Sequence, residues 1–242
     1  MPEVRDDQLP LGAGTADEVP PRPAASVIVM RGEPFEVLFL RRTEASTFVP
    51  GSWVFPGGTL DDVDREVASS VGKSSDLDVM RICAIRELFE ESGVWLGASI
   101  QNPASMRRRL LKDSRVFREI GSQAAATTEN LTWTSRWITP IGIPKRFDTY
   151  FFLALTRGSG DATPEHGEGV EVAWLTPAEA LERHARREFP LVFPTIRNLE
   201  AIRGCTSPVD LLHDRRDARI ETVQPVLVVD GDVKRIVIPG ES

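Results

Sequence analysis

The chain predicts a three-layer α/β/α sandwich around a mixed β-sheet, and three observations carry that expectation. Short β-branched or aliphatic runs, such as 25–30, 37–40 and 147–155, have the length of strands rather than helices. Stretches of helical spacing lie between them, the strongest running from Val79 to Ser92. Strands and helices are interleaved along the chain instead of being grouped in blocks. With 242 residues, 41% hydrophobic and 27% charged, the chain can bury one substantial core, with room for appendages.

Residues 1–22 are rich in Pro, Gly, Asp and Glu with almost no apolar periodicity, so a disordered or extended N-terminal arm is expected there. Ala25 to Met30 and Val37 to Leu40 flank Gly32-Glu33-Pro34 and read as a hairpin. Trp53-Val54 leads into Phe55-Pro56-Gly57-Gly58, a turn signal in which glycine lets backbone approach a ligand and leaves carbonyls free to coordinate a metal. The polar segment 63–79, with Ser69-Ser70, Gly72 and Ser74-Ser75, reads as a loop or a loop with one short helix. In the helix that follows, Ile82, Cys83, Ile85, Leu88 and Phe89 supply the apolar positions, and Gly93 fits its stop.

Residues 105–121 place Met106, Leu110, Phe117 and Ile120 at helical spacing and predict one further helix. Around it lie Arg107, Arg108, Arg109, Lys112, Arg115 and Arg118, which read either as a solvated face or as phosphate contacts. Leu131 to Thr139 and Phe147 to Thr156 read as strands with aromatics in the core. After the loop 158–169, a strand ends at Trp174-Leu175, and Thr176-Pro177-Ala178-Glu179 opens a capped helix. Pro194-Thr195 starts another, to about Arg203, and Asp230-Gly231 joins two short runs into a C-terminal hairpin.

Composition excludes several classes. A net charge of −7 argues against general nucleic-acid binding, which needs concentrated positive charge. No apolar run of about 18 residues is present, so no membrane span is expected. The N-terminus lacks the basic start and apolar core of a secretory leader, and Gly-Glu-Ser at the C-terminus is not a peroxisomal address of the Ser-Lys-Leu type. With only Cys83 and Cys205, a reducing, cytoplasmic setting is the simpler expectation.

The chemistry concentrates in Arg86-Glu87-Leu88-Phe89-Glu90-Glu91-Ser92-Gly93-Val94. Glu87, Glu90 and Glu91 fall at i, i+3 and i+4 and share one helical face. Like charges so spaced cost about 0.2–0.5 kcal/mol per pair unless a cation lies between them, and hard divalent ions prefer such oxygen ligands. An acidic face can also be merely solvated. The glycine turn upstream argues for a metal held against a diphosphate.

Phe-Pro-Gly-Gly followed by R-E-x-x-E-E-x-G-V resembles the Nudix hydrolase box, which reads Gly, five residues, Glu, seven residues, then R-E-U-x-E-E-x-G-U with U aliphatic. The resemblance covers about residues 24–203 and implies a Nudix domain over 23–205, with an insertion inside the box at 63–79, an extra helix at 105–121, and a C-terminal extension at 206–242. Here about 14 extra residues separate the halves of the box, and the first Glu is replaced by Asp64, counting forward, or Asp78, counting back, or by nothing. By resemblance, Glu87, Glu90, Glu91 and the Gly57 carbonyl ligate Mg²⁺ or Mn²⁺. Arg86 orients a carboxylate, and Glu90, Glu91 and Arg86 are catalytic. The base comes from a late loop offering Glu165, Glu168 and Glu171, of which Glu168 is favoured because glycines flank it.

Leu38-Phe39-Leu40-Arg41-Arg42-Thr43, three residues, Thr47, three residues, Gly51, three residues, Phe55-Pro56-Gly57-Gly58 is similar in spacing to the extra motif of coenzyme A diphosphatases, with Leu40 and Thr47 departing from its residues. The long box insertion resembles the divergent branch that includes the peroxisomal enzymes. The resemblance implies a small nucleotide-containing diphosphate substrate, coenzyme A or an acyl-CoA, with Arg41, Arg42 and Arg146 as phosphate contacts. ADP-ribose, NADH or a nucleoside triphosphate is the alternative substrate, a non-catalytic ligand-sensing module is the alternative class, and a homodimer is left open.

Overall fold

The fold is organised on β1 (Arg22–Arg31), whose residues alternate between two apolar layers. Ala25, Val27 and Val29 enter one core, Ile28 and Met30 the other. A strand covered on both faces needs no polar side, which is why this run is almost continuously apolar. The computed structural model describes residues 19–46, 49–156, 162–164, 169–230 and 233–240.

β2 (Glu36–Arg42) returns antiparallel, with Met30 opposite Val37, as the hairpin reading requires. β3 (Trp53–Val54) pairs with β2, and β4 (Gly57–Thr59) pairs with β1, Ser26 opposite Gly57 and Ala25 opposite Gly58. The expected glycine turn is therefore partly strand. On the far side of β1, β6 (Phe147–Leu155) runs parallel to it from Arg22 opposite Phe147 to Met30 opposite Leu155. β5 (Thr132–Ile138) pairs antiparallel with β6, and β7 (Gly169–Leu175) antiparallel with β2.

The polar insertion holds more structure than a loop. α1 (Asp62–Ser70) is capped by Asp61 and buries Val63, Val67 and Ala68, an apolar stripe at i, i+4 and i+5. α2 (Asp76–Ser92) starts three residues before the expected Val79, because Ser75 caps it by accepting from the Asp78 amide. Gly93 ends it at φ 73°, in the left-handed region.

The single helix expected over 105–121 is broken. α3 (Pro103–Leu110) stops, a 3₁₀ helix spans Ser114–Ile120, and α4 (Gly121–Thr127) follows. The Asp113 carboxylate accepts from the Arg115 amide and offers the backbone a local alternative to continued helix. Phe117 and Ile120 still reach the core, so the periodicity read burial correctly but not continuity.

α5 (Pro177–Ala185) opens on Thr176, which accepts from the Glu179 amide, and α6 (Phe193–Ile202) carries proline in its first turn. The segment after residue 205, read only as an extension with a hairpin, is tied into the domain. It contains α7 (Pro208–Arg215), whose Leu211 is buried in the core, and β8 (Thr222–Val223), which extends the sheet parallel to β5. β9 (Val226–Asp230) and β10 (Val233–Val237) form a separate two-stranded hairpin.

Among the described residues, the sheet runs β3-β2-β1-β6-β5-β8 with β4 and β7 added to β1 and β2. One layer packs α1, α2 and α4 under Ala25, Val27 and Phe152; the other packs α5, α6 and α7 against Ile28, Phe39 and Leu153. This is the mixed three-layer sandwich expected. Among the described residues, no helix is long and apolar enough to cross a membrane.

Candidate active site

α2 lies across β1 and β4 with Ile82, Ile85, Leu88 and Phe89 buried beneath it, and this packing turns its carboxylates toward the glycine strand. The glycines are required by close approach. A Cβ on Gly57 would lie 2.4 Å from the Ala25 carbonyl oxygen, and one on Gly58 would lie 2.5 Å from the Glu87 carboxylate. The Gly57 amide donates to Glu91 Oε2 at 2.7 Å. Strand and helix are thus joined through the residues the motif names.

Arg86 is the centre of the charge network and is nearly fully buried. Its Nε and Nη2 donate to Asp64 Oδ1 and Oδ2, both at 2.8 Å, a bidentate pair. Nη2 also donates to the Thr59 carbonyl at 3.0 Å, and Nη1 lies 3.0 Å from Glu87 and 3.2 Å from Glu90. Asp64 Oδ2 in turn accepts from the Asp61 amide in the capping box of α1. Of the two candidates for the missing box Glu, Asp64 therefore meets Arg86, while Asp78 bonds Ser75 and pairs with Arg81 at the start of α2.

One guanidinium faces three carboxylates, Asp64, Glu87 and Glu90, with Glu91 beside them, so negative charge is in excess in a site largely closed to water. Burial, partly offset by Arg86, pushes the Glu87 carboxyl up to about 7; burial also raises Glu90. Cys83, fully buried below Gly58 and Arg86, has its thiol pushed up by burial and is a packing residue. Among the described residues, no group of three His, Cys, Asp or Glu side chains is arranged to hold a metal ion, because these carboxylates are turned to Arg86 and to the Gly57 amide. The donor set nevertheless fits a hard divalent cation: it is oxygen-only, carries excess negative charge, and is opened by a glycine with no Cβ.

Arg107 holds the far end of α2. Its Nε donates to the Glu90 carbonyl and its Nη2 to the Glu91 carbonyl, each at 2.9 Å. The same guanidinium donates to Thr163 Oγ1 and O, and the Thr163 amide donates to the Ser92 carbonyl. The segment leading to the late acidic loop is thereby docked on the carboxylate helix. Sequence reasoning grouped Arg107 with its basic neighbours, and only tertiary contact separates it from Arg109, Arg115 and Arg118, which pair with Glu119, Asp113 and Glu66.

Glu165 and Glu168 lie outside the described residues. Glu171, in β7, pairs with Arg41 at 3.4 Å. Arg41 also pairs with Glu44 and is not part of the cavity wall, whereas Arg42, bonded to Ser46, is. Arg146 is buried, and its guanidinium donates to the Thr139 and Val19 carbonyls. That makes it a clamp between the segment after β5 and the chain before β1, and its own side chain is not part of the cavity wall.

The cavity measures about 680 Å³ and brings Glu87, Glu90 and Glu91 into one space with Arg22, Arg42, Lys112 and Lys145. Arg22 and Lys145 were missed in the sequence, since neither belongs to a motif, whereas Lys112 is one of the basic cluster read there as a solvated face or as phosphate contacts. A cavity of this size, acidic and basic by turns, is large enough to enclose a cofactor-sized ligand.

Comparison with known proteins agrees with the geometry. The NUDT19 Nudix domain matches residues 68–202, and the NUDIX domain matches residues 20–111. The nudix hydrolase 7 of Caenorhabditis elegans is 32% identical over 74% of this chain. This chain spans 59% of the length of that relative and 72% of the human acyl-coenzyme A diphosphatase NUDT19, which is 26% identical over 87% of this chain. The crystal structure of a NUDIX hydrolase from Alicyclobacillus acidocaldarius superimposes with a TM-score of 0.71 at 28% identity, covering 81% of this chain and 96% of that one. With its split box, buried Arg86 and mixed sandwich, the chain belongs to the Nudix hydrolases, in the family of the NUDT19 Nudix domain.

Proposed function

We propose that this Nudix hydrolase is a divalent-metal-dependent diphosphatase acting on coenzyme A or an acyl-CoA. The observation that carries the reading is the shared cavity, in which a carboxylate cluster for a cation and separate basic residues for phosphates face one space. The names of the NUDT19 relatives support the substrate class.

Glu87, Glu90 and Glu91 would hold Mg²⁺ or Mn²⁺, with the Gly57 carbonyl as the backbone ligand. When bound, such an ion neutralises charge developing on the diphosphate and lowers the pKa of water. Arg86, anchored on Asp64, keeps the Glu87 and Glu90 carboxylates in place, and Gly57 N–H does the same for Glu91. Arg42, Lys112 and Lys145 bind substrate phosphates. Glu168 serves as the base that takes the proton from the attacking water.

Incubating the protein with coenzyme A and Mg²⁺ or Mn²⁺ is expected to yield 3′,5′-ADP and 4′-phosphopantetheine. Cleavage of ADP-ribose, NADH or a nucleoside triphosphate, with coenzyme A left intact under the same conditions, overturns the assignment.

A further inference from the structure

Beyond the acidic site, the cavity has an apolar end, and part of its wall comes from outside the stretches that match the family. Pro225 and Ile236 line it, yet the matched domain stops at residue 202. The hairpin that carries Ile236 is docked at several points. Ile236, Ile238 and Val223 pack against the second core layer, and Leu227 Cδ2 would lie 3.9 Å from a Cβ on Gly142, in the turn whose Pro140 and Ile143 also line the cavity. Trp137, Phe147 and Phe193 also line the cavity, with the Trp137 and Phe193 rings edge to face at 5.9 Å.

We propose that this apolar end receives the acyl chain of an acyl-CoA, and that Ile236 of the C-terminal hairpin sets the chain length accepted. The inference rests on the coenzyme A reading above. The wall chemistry selects the occupant: from the helix start and the C-terminal segment it receives Val192, Phe193, Pro194, Thr195, Pro225 and Ile236, a single hydroxyl among hydrocarbon. An adenine edge or the amides of a pantetheine arm would find few partners there, chiefly the Thr195 hydroxyl and the buried Trp137 indole N–H, whereas methylene groups lose nothing and gain burial.

The test uses the full chain with Mn²⁺ and free, acetyl-, octanoyl- and palmitoyl-CoA. For the wild type, KM is expected to fall by at least about tenfold from acetyl to octanoyl with kcat changed less than about threefold, since each buried methylene favours binding. Ile236→Trp is expected to remove that advantage; Ile236→Ala is expected to keep it and improve palmitoyl-CoA. Thermal melts show whether either variant is folded, and the alanine variant carries the test where tryptophan unfolds the chain. Equal KM across the series, an octanoyl advantage untouched by a folded Ile236→Trp, or, where that variant is unfolded, palmitoyl-CoA no better used by Ile236→Ala, overturns the inference while leaving the diphosphatase reading standing. If no CoA compound is cleaved, octanoyl-CoA binding in EDTA, followed by tryptophan fluorescence, decides. Saturable binding weakened by Ile236→Trp supports the acyl site and rejects only the hydrolysis, and absence of binding rejects both.

Discussion

Arg86 and Asp64, 22 residues apart in sequence, form a buried two-point ion pair that joins the two halves of the interrupted motif, with Nε to Oδ1 and Nη2 to Oδ2 each at 2.8 Å. The insertion leaves the two halves of the motif in contact, because Asp64 stands six residues after Gly58, ahead of most of the inserted chain, and α1 delivers it to the guanidinium. Removing one partner of a buried pair strands the other's charge, which costs about 3–5 kcal/mol. Asp64→Ala is therefore expected to destabilise the fold by that order and to abolish turnover. Asp78→Ala, at the start of α2, is expected to cost less than about 1 kcal/mol. Urea unfolding of both variants checks the contrast, and equal losses would contradict it.

The two glycines should fail in different ways. At Gly57 a methyl group meets backbone, the Ala25 carbonyl at 2.4 Å, so Gly57→Ala is expected to separate β4 from β1 and lower the melting temperature markedly. At Gly58 the obstruction is the Glu87 carboxylate, the movable end of a side chain. Gly58→Ala is expected to stay folded and lose metal affinity and activity, measured by calorimetric Mn²⁺ titration and a turnover assay.

Glu87 predicts a pH effect whose sign is fixed by burial. Its carboxyl is held at about 7 in the fold, above the ordinary 4.5, so the folded state keeps a proton that the unfolded chain releases. That contribution to stability is complete below about pH 4.5 and is lost as pH rises through about 7, up to about 3 kcal/mol in all. Metal-free wild type is thus expected to lose stability relative to Glu87→Gln between about pH 5 and pH 8, and added Mn²⁺ is expected to restore the wild type alone. Chemical denaturation in EDTA across that range reads the difference; parallel curves would exclude a raised Glu87.

Arg42 and Arg146 were grouped as phosphate contacts by sequence, and the fold separates them. Arg42→Ala is expected to raise KM several-fold at nearly constant stability. Arg146→Ala, which leaves the Thr139 and Val19 carbonyls without their donor, is expected to lower stability by about 1–3 kcal/mol with KM little changed. Steady-state kinetics beside thermal melts distinguishes the two.

Arg107→Ala is expected to lower kcat more than it raises KM, because the guanidinium holds the Glu90 and Glu91 carbonyls and Thr163 and does not itself line the cavity. Arg107→Lys restores charge without the fork and is expected to recover less than half of the loss. Full recovery by lysine would argue that charge alone matters.

What the sequence made legible was local. Strand runs, the capped helix at Thr176, the stop at Gly93 and the hairpin around Pro34 follow from neighbouring residues, and each is present. The carboxylate face was legible for the same reason, since i, i+3, i+4 spacing is a property of one helix. The break at Asp113 was not, because apolar periodicity continues through it while a side chain diverts the backbone. Nor were the roles of Arg107 and Arg146, since the carbonyls they hold, those of Glu90 and Val19, are distant in sequence. α7 was hidden by its mixed composition and revealed only by Leu211 meeting the core.

The parallel pairing of β1 with β6 also governs when the site can exist. α2 rests on both strands, but β6 follows it on the chain and ends only at Leu155. A nascent or truncated product that stops before Phe147 carries every motif residue yet lacks the strand that pairs with β1 along its whole length. Such a fragment would pass any search for the motif and be expected to hydrolyse nothing, so expression of the carboxylate helix is not expression of the enzyme.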